Sequence, residues 1–132
     1  MALTLQASLL VLAGGCAGGM ARIGLATAVG ERWGFAFPWG TLAVNVSGAF
    51  VIGLLAGLAR FKGGFFDSEA FRALVFTGLL GGYTTVSSFA LQTLDLALAG
   101  ERSRAVFNVV LSAGLSLVAA AAGYGLAATG LG

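Results

Sequence analysis

Four long apolar stretches occupy most of this chain of 132 residues and limit the folds open to it. They cover residues 3–29, 37–59, 70–99 and 105–129, and each is long enough to cross about 30 Å of hydrocarbon as a helix. Hydrophobic residues make up 58% of the sequence and charged residues only 9%, whereas a soluble domain carries about 25% charged residues. The sequence predicts an all-α membrane protein with one domain over residues 1–132. Short connections are expected at 31–33 and 61–69, with Pro38 in the first turn of the second helix.

The third stretch contains a segment that does not suit the middle of a helix. Gly81 and Gly82 each cost roughly 1 kcal/mol relative to alanine in a helix interior, and they suit positions just past a helix end. Thr84 or Thr85 suits the N-cap of a new helix. We therefore expect a half-helix over 71–80, then a break near the bilayer midplane, and then a second half-helix.

A break at this depth exposes backbone groups that a continuous helix would pair. The end of the first half-helix presents carbonyls that attract a cation, and the start of the second presents N–H groups that attract an anion. Because lipid offers no hydrogen bonds, the break must face protein, an ion or a water-filled cavity. It therefore indicates an ion or substrate site. Glycines that only allow close helix packing are the open alternative.

Several polar side chains fall inside the predicted spans, where each needs a partner. Asn45 lies about two turns into the second span, and its amide suits either an anion or a hydrogen bond between helices. Asn108, Ser112 and Ser116 are spaced i, i+4 and i+8, so they form a polar stripe on one face of the fourth helix. Arg22 lies inside the first span, either as a charge near an anion's entry route or as a snorkelling end residue.

The residue inventory excludes several functions. The chain has no histidine and one cysteine, Cys16, so a disulfide or a Cys/His metal site within one chain is excluded. It shows no acid pair and no nucleophile beside a base, which argues against an enzyme. The net charge of +2 does not indicate a nucleic-acid partner in so apolar a chain. The spans hold hydroxyls, amides and aromatic rings, including the electropositive ring edge of Phe89, but no deep carboxylate, which favours a passive pathway for a small anion.

Basic residues are balanced between the two ends of the predicted helices. The bias of lysine and arginine between loops sets the orientation of a membrane protein, and here three residues lie on each side. One side carries Arg60, Lys62 and Arg72, and the other carries Arg32, Arg102 and Arg104. The chain is therefore predicted to insert both ways up and to pair as an antiparallel dimer, unless Arg22 or the amino terminus fixes one orientation.

Four motifs resemble those of the Fluc (CrcB-like) fluoride channels: GGMAR at 18–22, PWGTLAVN at 38–45, NVSGAF at 45–50 and GGYTTVSSF at 81–89. The likeness covers essentially the whole chain. It implies a dual-topology antiparallel homodimer in the bacterial cytoplasmic membrane, with two pathways that export fluoride and lower its cytoplasmic concentration. It also implies a structural Na⁺ held by backbone carbonyls, which map onto Gly81 and Thr84.

The resemblance also maps an ion pathway onto this sequence. The family's pore asparagine falls on Asn45, and of its two pore phenylalanines the second falls on Phe89. The first falls on Val86, a departure that removes one aromatic edge from each pathway. The polar track completes the pathway, and its positions are Ser87 and Ser88, with Ser112 and Ser116 as weaker candidates.

Two other functions compete with the fluoride channel. The first is a subunit that works only beside a second, different chain, which would supply the ring absent at Val86. The second is a proton-coupled exporter like the small multidrug resistance transporters, which needs a membrane-embedded carboxylate in the first helix. The first span lacks one, and Asp95 falls too near a helix end to serve.

Overall fold

The computed structural model describes residues 4–130, which form four apolar helical spans and one short 3₁₀ turn. Helix α1 is Leu5–Trp33, α2 is Trp39–Phe61, and α5 is Arg102–Thr129. The third span, Glu69–Leu98, contains two helices, α3 and α4. The prediction of an all-α membrane protein with four apolar helices is confirmed.

The third span departs from helical geometry at two threonines. Helix α3 consists of Glu69–Phe71, a π-helical piece Arg72–Leu80, and Gly81–Tyr83, and α4 is Val86–Leu98. Between them, Thr84 (ψ 156°) and Thr85 (φ −149°, ψ 116°) are extended. The hydroxyl of Thr85 accepts a hydrogen bond from the Ser88 N–H at 3.0 Å, so Thr85 is the N-cap of α4.

Gly81 and Gly82 lie within α3, and their predicted place just past a helix end is wrong. Gly81 has helical dihedral angles of φ −62° and ψ −38°. Gly82 serves a different purpose, because a Cβ added there would lie 2.7 Å from the carbonyl oxygen of Gly15 on α1. Close packing on α1 therefore accounts for Gly82, and the chain leaves the helix two residues after it.

Glycines bring the helices together in two pairs. A Cβ added at Gly14 or Gly18 of α1 would overlap the backbone of α3, and one added at Gly53 or Gly123 would overlap the backbone across the α2–α5 contact. Such close backbone approach is typical of small residues in membrane helices. As a result α1 packs on α3, while α2 packs on α5, and the break in the third span faces α2 and α5.

The helix ends differ from the predicted ones. Helix α1 continues to Trp33, so residues 31–33 are helical and the connection starts at Gly34, whose φ of 95° ends the helix. Pro38 directly precedes α2 instead of lying in its first turn. Helix α5 begins at Arg102, three residues before the predicted start. Polar residues near these ends, such as Glu31 and Arg32, continue the helices instead of ending them.

Candidate functional site

The break in the third span is held by a side chain from α2. The Asn45 Nδ2 group donates a hydrogen bond to the Thr85 carbonyl oxygen at 2.8 Å, and the Thr85 N–H donates to Asn45 Oδ1 at 2.8 Å. The structure therefore shows Asn45 in the hydrogen bond between helices that the sequence left open. One of the two Nδ2 hydrogens is used in this pair, which leaves the other for a further acceptor.

The same hydrogen bonds divert two backbone donors from α-helical pairing. In a continuous α-helix the Thr85 N–H would bond to the Gly81 carbonyl, and the Ser88 N–H would bond to the Thr84 carbonyl. Here the Thr85 N–H bonds to Asn45, and the Ser88 N–H bonds to the Thr85 hydroxyl. The carbonyls of Gly81 and Thr84 thus lose the donors that a regular helix would give them.

A groove of about 340 Å³ opens beside the break, between α2, α4 and α5. It brings together five of the residues predicted for the ion pathway, and Thr84 and Thr85 of the break lie beside them. These five are Asn45, Val86, Phe89, Ser112 and Ser116. Val86 is 79% exposed in the single chain, so the groove lies at the protein surface.

A buried hydrogen-bond network beside the groove joins α4 to α5. Asn108 is only 2% exposed, and its Nδ2 group donates to the Thr93 hydroxyl at 2.9 Å. The Thr93 hydroxyl donates to the Phe89 carbonyl at 2.7 Å, and the Ser112 hydroxyl donates to Asn108 Oδ1 at 3.3 Å. The network therefore ties Phe89 on α4 to Ser112 on α5, both of which line the groove.

Three predicted pathway residues lie outside the groove lining. The Ser87 hydroxyl is 3.1 Å from the Thr85 hydroxyl, and Ser88 contributes its N–H to the cap of α4. Arg22 is half-buried on α1 and does not reach the groove lining. Ser87 and Ser88 lie close to the break, and Arg22 lies on α1, but none of these three side chains faces the groove.

Sequence reasoning missed two features, one beside the groove and one at the end of the bundle that carries the 34–38 connection. Thr93 belongs to none of the motifs described above. It follows Phe89 by four residues, which is the spacing at which a threonine hydroxyl donates to a carbonyl of its own helix. A second cavity, of about 330 Å³, lies near the 34–38 connection and is lined by Thr27, Thr41, Gln92 and Asp95 among others. The Oε1 atom of Gln92 is buried, with no hydrogen-bond partner among the described residues.

One family of similar sequence matches most of the chain that forms the four spans and the groove. A family described as "CrcB-like protein, Camphor Resistance (CrcB)" matches residues 9–124. The chain belongs to this CrcB-like family. Its relatives are ion channels and not enzymes, and the CrcB-like chain is a multi-pass integral membrane protein.

Relatives of this CrcB-like protein match along nearly its whole length. "Fluoride-specific ion channel FluC 4" of Brucella abortus is 55% identical over 123 residues, which cover 93% of this chain and 92% of the relative. "Fluoride-specific ion channel FluC 2" of Bradyrhizobium diazoefficiens is 48% identical over 122 residues, covering 92% and 88%. "Fluoride-specific ion channel FluC" of Opitutus terrae is 46% identical over 123 residues, covering 93% and 92%.

Proposed function

We propose that this protein is a passive, fluoride-selective channel that lets fluoride leave the cell and so lowers its cytoplasmic concentration. The observation that carries the proposal is the groove at the break, where Asn45, Phe89 and Ser112 meet. Relatives of this chain are named as fluoride-specific ion channels. They are bacterial proteins, which supports a place in the bacterial cytoplasmic membrane.

The groove offers donors for a small anion. Fluoride binds its water shell very strongly, so a pathway must replace that shell with several donors. Asn45 retains one amide N–H, and the first N–H groups of α4, at Val86 and Ser87, point along the helix axis with partial positive charge. Ser116 adds a hydroxyl, and Phe89 adds a ring edge. Among residues 4–130, no carboxylate lines the groove, which suits passive permeation.

A second copy in the opposite orientation would complete the pathway. Val86 lines the groove yet is 79% exposed, so the groove is open on one side, and its polar groups, such as the remaining Asn45 N–H, require cover in a membrane. The three-to-three balance of basic residues supports insertion in both orientations. An antiparallel homodimer would carry two such grooves, one on each chain.

The break also suits a structural Na⁺ at the centre of that dimer. Carbonyl oxygens at unwound helix ends are the ligands that coordinate Na⁺ in other membrane proteins. The carbonyls of Gly81 and Thr84 fit this role, because their α-helical donors are diverted to Asn45 and to the Thr85 hydroxyl. When bound, the ion would supply positive charge and a link between the two copies, and the chain's own residues would hold the break open.

A heterodimeric channel is the second candidate, and Val86 is the observation that favours it. The exposed position of Val86 beside the groove leaves room for an aromatic ring from a different subunit. In that case the single chain would fold and insert, but its flux would depend on the partner.

Cells that lack other fluoride export provide a direct test in the native setting. Expression of this chain alone should lower cytoplasmic fluoride and allow growth at fluoride concentrations that stop control cells. Expression of an Asn45→Leu variant at the same level should not. Equal growth of cells that express the wild-type chain and cells that express Asn45→Leu would contradict the proposal.

A further inference from the structure

A further cleft, distinct from the groove at the break and from the cavity near the 34–38 connection, lies between α2 and α3. It is at the end of the bundle that carries the 62–68 connection. Its volume is about 670 Å³, and it is separate from the groove at the break. The lining combines apolar side chains with two arginines, one threonine and one carboxylate, namely Ala56, Ala59, Arg60, Asp67, Arg72, Phe76 and Thr77. Such a combination suits an amphiphile better than a small ion.

Helix geometry explains why these residues share one cleft. On α2, Ala56, Ala59 and Arg60 are spaced i, i+3 and i+4, so they form one face. On α3, Arg72 and Thr77 belong to the π-helical piece, in which hydrogen bonds join residues five apart. Arg72 and Thr77 therefore point to the same side, toward α2.

The cleft extends from the membrane surface into the hydrocarbon. Arg60 precedes the last residue of α2, and Ala56 lies one turn earlier, about 6 Å closer to the bilayer centre. The Arg60 guanidinium lies over the ring of Phe61, and Phe61 and Phe65 are 46% and 71% exposed, as expected for aromatic residues at the membrane interface. The guanidinium groups thus lie at headgroup level, above an apolar floor.

The charges at the mouth leave a net positive site. Arg72 pairs with Asp67, whereas Arg60 takes part in neither of the ion pairs formed within residues 4–130. Two guanidinium groups therefore face one carboxylate. Guanidinium groups bind phosphate oxygens through two parallel hydrogen bonds, so the mouth matches a singly charged phosphodiester.

We propose that this cleft binds an anionic phospholipid. Its phosphate would lie between Arg60 and Arg72, and an acyl chain would run past Ala56 and Phe76. A zwitterionic phospholipid has the same phosphate but adds a cation, which the net positive mouth disfavours. The proposal does not depend on which ion the protein conducts.

Native mass spectrometry of the purified full chain in detergent tests this site. Phosphatidylglycerol and phosphatidylcholine with the same acyl chains are added in separate samples, and we expect the chain to retain phosphatidylglycerol preferentially. Arg60→Gln and Arg72→Gln should each lower the retained phosphatidylglycerol about fivefold. Inorganic phosphate at the same concentration should not displace the lipid, because it lacks the acyl chain.

Arg104→Gln is the matched control. Arg104 pairs with Glu101 at the opposite end of the spans, with side chains 52% and 43% exposed, against 57% and 52% for Arg72 and Asp67. The Arg104→Gln variant should retain phosphatidylglycerol as the wild type does. Ala56→Trp fills the apolar part and keeps both arginines, and it should also reduce retention, which guards against a folding defect in the arginine variants.

Four results would overturn the proposal, and the first three concern the lipid itself. They are equal retention of the two lipids, undiminished retention by both arginine variants, and displacement of the lipid by inorganic phosphate. A fourth is an Ala56→Trp variant that loses its dimer while phosphatidylglycerol binding is unchanged, since that would identify a second copy of the chain as the occupant.

Discussion

Asn45 and Thr85, forty residues apart in the sequence, are joined by two hydrogen bonds of 2.8 Å each. The side-chain amide on α2 pairs with both backbone groups of Thr85, much as a neighbouring strand would. The break in the third span is therefore stabilised by another helix, and not by its local sequence alone. It follows that the break and the groove beside it depend on Asn45.

Replacing Asn45 should disrupt both the fold and the function. In Asn45→Leu the N–H and C=O of Thr85 lose their partners, and each unsatisfied buried group costs about 1–3 kcal/mol. We expect a lower unfolding temperature in detergent and no fluoride flux. Ser47→Ala is the control, because it removes the 2.8 Å contact between the Ser47 and Tyr83 hydroxyls but leaves Thr85 paired. Wild-type stability and flux in Asn45→Leu would contradict this role.

Gly81 tests whether the break is an ion site or only a packing device. A Cβ added at Gly81 meets its nearest neighbour, the Phe76 carbonyl oxygen, at an ordinary 3.7 Å, so the single chain has room for it. Gly81→Leu should nevertheless abolish flux and reduce the dimer fraction on size-exclusion chromatography, because the side chain would crowd the proposed Na⁺ and the second copy. Gly24→Leu, with no atom within 4 Å of its added Cβ, should behave as wild type. Full activity in Gly81→Leu would show that the carbonyl has no such role.

Phe89 and Val86 test the aromatic part of the pathway. Phe89 offers the one ring edge of the pair, so Phe89→Ala should strongly reduce fluoride flux. Val86→Phe should be tolerated, since Val86 is 79% exposed and a larger ring has room. Flux from purified protein in liposomes is the readout. A folded homodimer that is silent until Val86→Phe or a partner subunit is supplied would instead support the heterodimer.

Small charge changes should tip the orientation of the chain. Phe65→Lys with Glu69→Lys adds positive charge to the 61–69 connection and should hold that end in the cytoplasm. Such a variant should lose activity alone and regain it when co-expressed with Phe35→Lys and Ala99→Lys, which biases the opposite end. Cysteine labelling from each side of the membrane reports the orientation. Wild-type protein found in one orientation only, yet active alone, would rule out the antiparallel homodimer.

The four spans could be predicted from sequence because the length of an apolar run decides whether a helix crosses the bilayer. The cap at Thr85 was also predictable, since threonine at an N-cap satisfies a nearby N–H. The helical state of Gly81 and Gly82 was not. The intrinsic cost of Gly82 in a helix is outweighed by packing on the Gly15 backbone, which lies far away in the sequence, whereas no such contact in the single chain accounts for Gly81.

The sequence predicted which residues come together at the groove better than it predicted the hydrogen bonds that they make. Asn45, Phe89 and Ser112 do meet in one groove. The partner of Asn45, however, is the backbone of Thr85, and a backbone partner leaves no sequence signature. Ser87 belongs to the same motif as Phe89 but lies outside the groove lining, because residues two apart on a helix face different directions.

Fluoride efflux from liposomes that contain only the purified chain tests the central claim most directly. Vesicles loaded with fluoride or chloride are given a potassium ionophore and no proton gradient, and the released anion is measured with an ion-selective electrode. The account predicts rapid fluoride efflux from the wild type, chloride release no faster than from empty vesicles, and no fluoride efflux from Asn45→Leu. Chloride efflux comparable with fluoride efflux, or fluoride efflux that requires a proton gradient, would contradict it.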